Sequence, residues 1–117
     1  MTTDEDHRQL EIATGLNELA RALARSTQTV PRPSDSCAML AELRLTADHL
    51  ARVCEQLEAW NQNVVSNVHY LGDNAGALEA SFALEEATQF LRGAADSIRR
   101  AHAHSKTVRW LGAQAGT

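Results

Sequence analysis

Leu71-Gly72-Asp73-Asn74-Ala75-Gly76-Ala77 separates two long runs whose apolar residues recur every seven positions. Upstream, Leu40, Leu43, Ala47, Leu50, Cys54, Leu57, Asn61, Val64, Val68 and Leu71 alternate steps of three and four. Downstream, Ala77, Ala80, Leu84, Ala87, Leu91, Ala94, Ile98, Ala101, Ser105 and Val108 do the same. Such spacing keeps one stripe of a helix against one neighbouring helix. The residues between the runs supply turn chemistry, and Gly72 suits the left-handed residue that ends many helices. The two runs are therefore expected to fold back on each other as a long, coiled-coil-like antiparallel hairpin.

Opposed residues of an antiparallel pair have a constant sum of residue numbers. A sum of 148 sets every member of one stripe opposite a member of the other. It pairs Leu50 with Ile98, Leu57 with Leu91 and Asn61 with Ala87, and its midpoint, residue 74, falls inside the turn. Pattern and turn chemistry are independent signals, so their agreement supports the hairpin. Asn61, at a seam position, is a candidate register-specifying residue, because a buried amide among apolar layers tolerates few alternative alignments.

Outward from the hairpin, a first helix is expected over about 4–25, with Ile12, Leu16, Leu19 and Leu23 on one face. Thr2 with Glu5 has capping-box spacing, and Asp4, Glu5 and Asp6 suit the positive end of the helix dipole. Residues 26–35 contain Pro31 and Pro33 and read as a linker. The second helix is expected over about 36–71, the turn over 72–76, the third helix over about 75–111, and a frayed tail over 112–117. Met39, Val53 and Trp60 form a second apolar strip beside the seam of the second helix, while Phe82 and Phe90 flank that of the third. Helix one is expected to fold against the base of the hairpin, giving an all-α three-helix bundle in a single domain. At a rise of about 1.5 Å per residue it ends near residue 58 and leaves the hairpin tip uncovered.

The tip has an unusual composition. From Ala59 to Gly72 there is no charged side chain, and Asn, Ser and Val are mediocre helix formers. An uncharged stretch of amides and aromatics reads as an interface, which makes Trp60, Asn63, Asn67, Tyr70 and Phe82 the candidate partner-binding residues. The partner would be another protein or a second copy of the chain, and the function a non-catalytic interaction module: adaptor, inhibitor or assembly component.

Charge offers an alternative. Residues 87–117 carry Arg92, Arg99, Arg100, Lys106 and Arg109 against Asp96, whereas the rest of the chain is strongly acidic and the total is -4. That basic end could bind nucleic acid, although cations near a helix C-terminus also simply complement its dipole.

Catalytic and metal-binding constellations are missing. His102 and His104 lie two apart and diverge on a helix, and there is no Gly-rich phosphate loop, CxxC pair or Glu-x-x-His motif. No enzyme, cofactor or metal is expected. Cys37 and Cys54 sit seventeen residues apart on one expected helix, roughly 25 Å, too far for a disulfide. Unpaired thiols, an acidic start and the lack of any long apolar run together suggest a cytoplasmic protein without a membrane anchor.

Overall fold

The structure, a computed structural model, describes residues 7–65 and 74–109. Three α-helices build it, with no strand among the described residues: α1, Arg8–Ser26; α2, Pro33–Val65; and α3, Asn74–Ser105. The chain divides into two units, Met1–Arg32 with α1 and Pro33–Thr117 with α2 and α3, and each is described by itself.

In the first unit, α1 is amphipathic, and Leu10, Ile12, Leu16 and Leu19 are all exposed. Thr27 closes its C-terminal end: the hydroxyl donates to the Leu23 and Ala24 carbonyls at 3.0 and 3.2 Å. Groups that would otherwise lack a partner at a helix end are thereby satisfied. Thr2 and Glu5, which carry the expected capping box, lie outside the described residues.

The second unit is the hairpin. Ser81 of α3 bonds Glu58 of α2, and Arg92 of α3 reaches Glu55 of α2. Residue numbers rise on one helix as they fall on the other, so the pair is antiparallel. Helix α2 begins at Pro33 rather than near residue 36. Proline breaks a helix interior, but at the first helical position its missing N–H has no partner to lose. Helix α3 stops at Ser105, short of 111. The Ser105 and Thr107 hydroxyls donate to the His102 and His104 carbonyls at 2.9 and 3.1 Å, and the Val108 N–H donates to the Ser105 carbonyl at 3.0 Å. Local bonds take up the last carbonyls, and Val108 leaves the seam for solvent.

The hairpin stands, but its seam differs from the expected one. Ser81, Thr88 and Ala95 are buried on α3, seven apart, whereas Ala94 and Ala101 are exposed. Leu84, Leu91 and Ile98 keep their places between them, so one of the two seam rows has moved by one residue. On α2, Ala47 and Ala51 are buried, Ala51 completely, while Leu57 is 44% exposed. The physical cause is size and bonding. An alanine counts as apolar in a periodicity but carries too little surface to set a face, and Ser81 and Thr88 count as polar although their hydroxyls are satisfied. Ser81 donates to the Glu58 carbonyl at 3.2 Å and Thr88 to the Leu84 carbonyl at 2.9 Å. A bonded hydroxyl costs little to bury, and its small volume lets two helix backbones come close.

The Ser81–Glu58 bond also overturns the sum of 148, which would set Ser81 opposite residue 67. A serine hydroxyl cannot span nine residues, roughly 13 Å. The bond instead pairs Ser81 with the turn of α2 around residues 58–61; residues 66–73, which include part of the expected 72–76 turn, lie outside the described residues.

Candidate functional site

The seam divides the hairpin into two faces. Arg92 donates to Glu55 at 3.0 Å, so these two mark one face. Glu58, Glu85, Thr88 and Gln89 join them around an open concavity of about 390 Å³. Arg52 adds a second ion pair to Glu55 at 3.3 Å. This face is charged, and Glu55 pairs with both arginines.

The other face is different. On the side of α2 away from Glu55 run Met39, Leu43, Thr46, Leu50, Val53, Leu57 and Trp60, alternating steps of four and three. On the side of α3 away from Arg92 run Ala80, Ala83, Ala87, Phe90, Ala94, Ser97 and Ala101, on the same alternation. Because Glu55 and Arg92 share one face, the two stripes share the opposite one. None of these fourteen residues is ionisable. Val53, Leu57, Trp60 and Phe90 are 47, 44, 48 and 69% exposed. The seam buries only small side chains completely, leaves Leu84, Leu91 and Ile98 half-buried, and leaves Val53, Leu57, Trp60 and Phe90 outside, unlike an ordinary helical core.

The other expected partner-binding residues distribute as follows. Trp60 stands in the α2 stripe, and Asn63 is half-buried near the end of that helix. Phe82 repeats seven positions before Gln89 and is more than half exposed on the edge of the charged face, so it does not join Trp60. Asn67 and Tyr70 lie outside the described residues. Asn61 donates its side-chain amide to the Leu57 carbonyl at 2.9 Å, a bond within α2 that does not reach α3.

The basic residues are largely engaged by carboxylates. Arg92 is held by Glu55, Arg99 donates to Asp96 at 2.7 Å, and Arg100 approaches Asp96 at 3.5 Å. The Arg99 hydrogen bond, then its charge, pull the Asp96 carboxyl below the ordinary value of 3.8; slight desolvation opposes them and Arg100 adds to them. Lys106 occupies the turn after α3, and Arg109 follows it.

Cys37 and Cys54 are half-buried free thiols. Among the described residues no group of three His, Cys, Asp or Glu side chains is placed to hold a metal ion, and no helix is long and apolar enough to cross a membrane. The strip Met39, Val53 and Trp60 was legible as a flank. The α3 stripe was hidden because its alanines had been assigned to the seam; its signal is the second, uncharged three–four alternation on the same helix. No family model, curated protein or solved structure matches the chain.

Proposed function

We propose that this chain is a non-catalytic protein–protein interaction module, and that it works by presenting the uncharged face of its hairpin to a helical partner. The observation that carries the reading is the inverted packing. Val53, Leu57 and Trp60 stand about half exposed in an uninterrupted uncharged stripe, while the fully buried seam positions hold only Ala, Ser and Thr and Leu84, Leu91 and Ile98 between them are half-buried. An uncharged surface two helices wide is what an interaction site needs and what a solvated helix face avoids. Trp60 is the natural anchor, since the large ring at the end of the apolar stripe supplies most area for least ordering cost. Asn63 lies one turn further along α2.

Nucleic-acid binding by Arg92, Arg99, Arg100, Lys106 and Arg109 ranks second, because three of these five already bond carboxylates. The test compares chemical cross-linking of the wild-type chain, a Leu57→Glu variant and an Arg99→Glu/Arg100→Glu variant in its native host. Complexes lost only with Leu57→Glu uphold the reading. Complexes lost only with the arginine reversals, and weakened steeply by salt, would replace it with the nucleic-acid alternative.

A further inference from the structure

The two stripes of the uncharged face differ in size, and that difference identifies an occupant. The α2 stripe is large: Leu50, Val53, Leu57 and Trp60 project from it. The α3 stripe is small: Ala80, Ala83, Ala87 and Ala94 leave a shallow trough broken by Phe90. Over Leu57 and Trp60 on α2 and Ala80, Ala83 and Ala87 on α3, away from Phe90, the surface is ridged along one half and hollow along the other, and so is complementary to itself. Rotation by a two-fold axis parallel to the helices sets the ridge of one copy over the trough of the other, twice. An isologous interface requires this kind of self-match.

Position along the axis agrees. The Ser81–Glu58 bond places Ala80 and Ala83 level with Leu57 and Trp60. The same rotation therefore brings the large end of the ridge over the Ala80–Ala83 part of the partner's trough, with no sliding along the axis. Size agrees as well. From Met39 to Trp60 the face is roughly 31 Å long, and two helices make it roughly 19 Å wide. That is about 600 Å² per copy in flat projection, so a pair buries on the order of 1,200 Å² before side chains interdigitate, within the class of stable interfaces.

We propose that the uncharged face is covered by a second copy of this chain, giving a two-fold dimer in which Leu57 and Trp60 of each copy seat on the Ala83–Ala87 trough of the other. The proposal rests on the interaction-module reading and names its partner. The two copies form a four-helix layer, with the Glu55–Arg92 faces turned outward to water. Charge repulsion between two chains of net charge -4 is limited, because the face itself carries no ionisable residue.

The test is sedimentation of the full chain from about 1 to about 100 μM, with Leu57→Glu, Ala94→Glu and Phe82→Ser variants alongside. A mass of twice 12.8 kDa is expected for the wild type. Leu57→Glu should weaken self-association by roughly 100-fold or more, since it buries an unpaired charge where the ridge meets the partner's trough. Ala94→Glu, exposed in the single hairpin, should do likewise with helix content intact, which settles the matter if Leu57→Glu disturbs folding. Phe82→Ser, on the other edge, should leave the dimer unchanged. A monomer across the whole range overturns the proposal, as does a dimer indifferent to both glutamates. Cross-linked host complexes that vanish with Leu57→Glu would, in the monomer case, keep the interaction-module reading and assign the face to another protein. Their absence would end both.

Discussion

Ala94 and Ala95 are adjacent alanines with opposite fates, and enlarging each to leucine measures which one lies in the seam. Ala95 is 4% exposed, among small residues that let α2 and α3 come close. A leucine there adds three carbons where no space exists, forcing the backbones apart or the side chain off its rotamer. Overpacking of that kind costs about 1–3 kcal/mol. Ala94 is exposed, so the same change there should stay within about 0.5 kcal/mol. Alanine and leucine have similar helix propensities, and whatever difference remains is common to both sites and cancels in the comparison. For a helical domain of this size the expected separation of the two thermal midpoints is roughly 4–20 °C. Circular dichroism at low protein concentration reads it, and repeating the melts at a higher concentration isolates any contribution from association at Ala94. If Ala94→Leu lowers the midpoint as far as Ala95→Leu, or further, the seam lies where the bare alanine periodicity would put it and the two-faced hairpin is wrong.

Three more perturbations probe separate links. A Cβ added at Gly93 meets nothing within 4 Å, so Gly93→Ala should raise stability by about 0.8–1 kcal/mol through helix propensity alone, read as a higher urea midpoint with an unchanged slope. Because Arg99 and Arg100 lower the Asp96 carboxyl relative to the unfolded chain, its contribution is full above the ordinary value of 3.8 and fades as pH falls through the depressed folded value. Asp96→Asn should therefore flatten part of the stability loss between about pH 5 and about pH 2, and a slope identical to wild type would remove Asp96 from the acid response. Asn61→Leu exchanges a bond internal to α2 for a better helix former, so stability should rise by less than about 1 kcal/mol with no change of solution mass; a change of mass would assign Asn61 the register-setting role.

The hairpin was legible because two signals met: paired three–four alternations and a glycine-bearing break between them. The finer seam was not, and the reason is specific. Two heptad frames displaced by one residue share Leu84, Leu91 and Ile98, and only the smaller members of each layer separate them. Those members are Ala80, Ala87, Ala94 and Ala101 in one frame and Ser81, Thr88, Ala95 and His102 in the other. Hydropathy favours the first set. Packing favours the second, because the hydroxyls of Ser81 and Thr88 find backbone carbonyls and release the alanines to the surface. A periodicity has no access to those bonds. The same blindness affects helix ends: Pro33 was a breaker by composition and is a first helical residue by geometry, and the hydroxyls of Ser105 and Thr107 end α3 where an apolar count would continue it.

The inverted packing also ties folding to association. A seam whose fully buried positions are Ala, Ser and Thr, with Leu84, Leu91 and Ile98 only half-buried between them, removes a modest apolar surface from water, and each alanine contributes far less than the roughly 1.5–3 kcal/mol of a fully buried leucine or valine. The exposed pair of ion-pair clusters adds little, since surface bridges contribute about 0–1 kcal/mol each. The residues able to contribute more, Val53, Leu57 and Trp60, retain about half their surface. Removing that remainder is worth on the order of 1 kcal/mol per residue, and three such residues match a sizeable share of the roughly 5–15 kcal/mol by which domains are stable. Val53, Leu57 and Trp60 thus leave hydrophobic stabilisation unrealised on the uncharged face. Under the proposed dimer, association completes that burial, so substitutions at Leu57 and Trp60 should report on stability and on association together, while those at Phe82 should change stability alone, if at all.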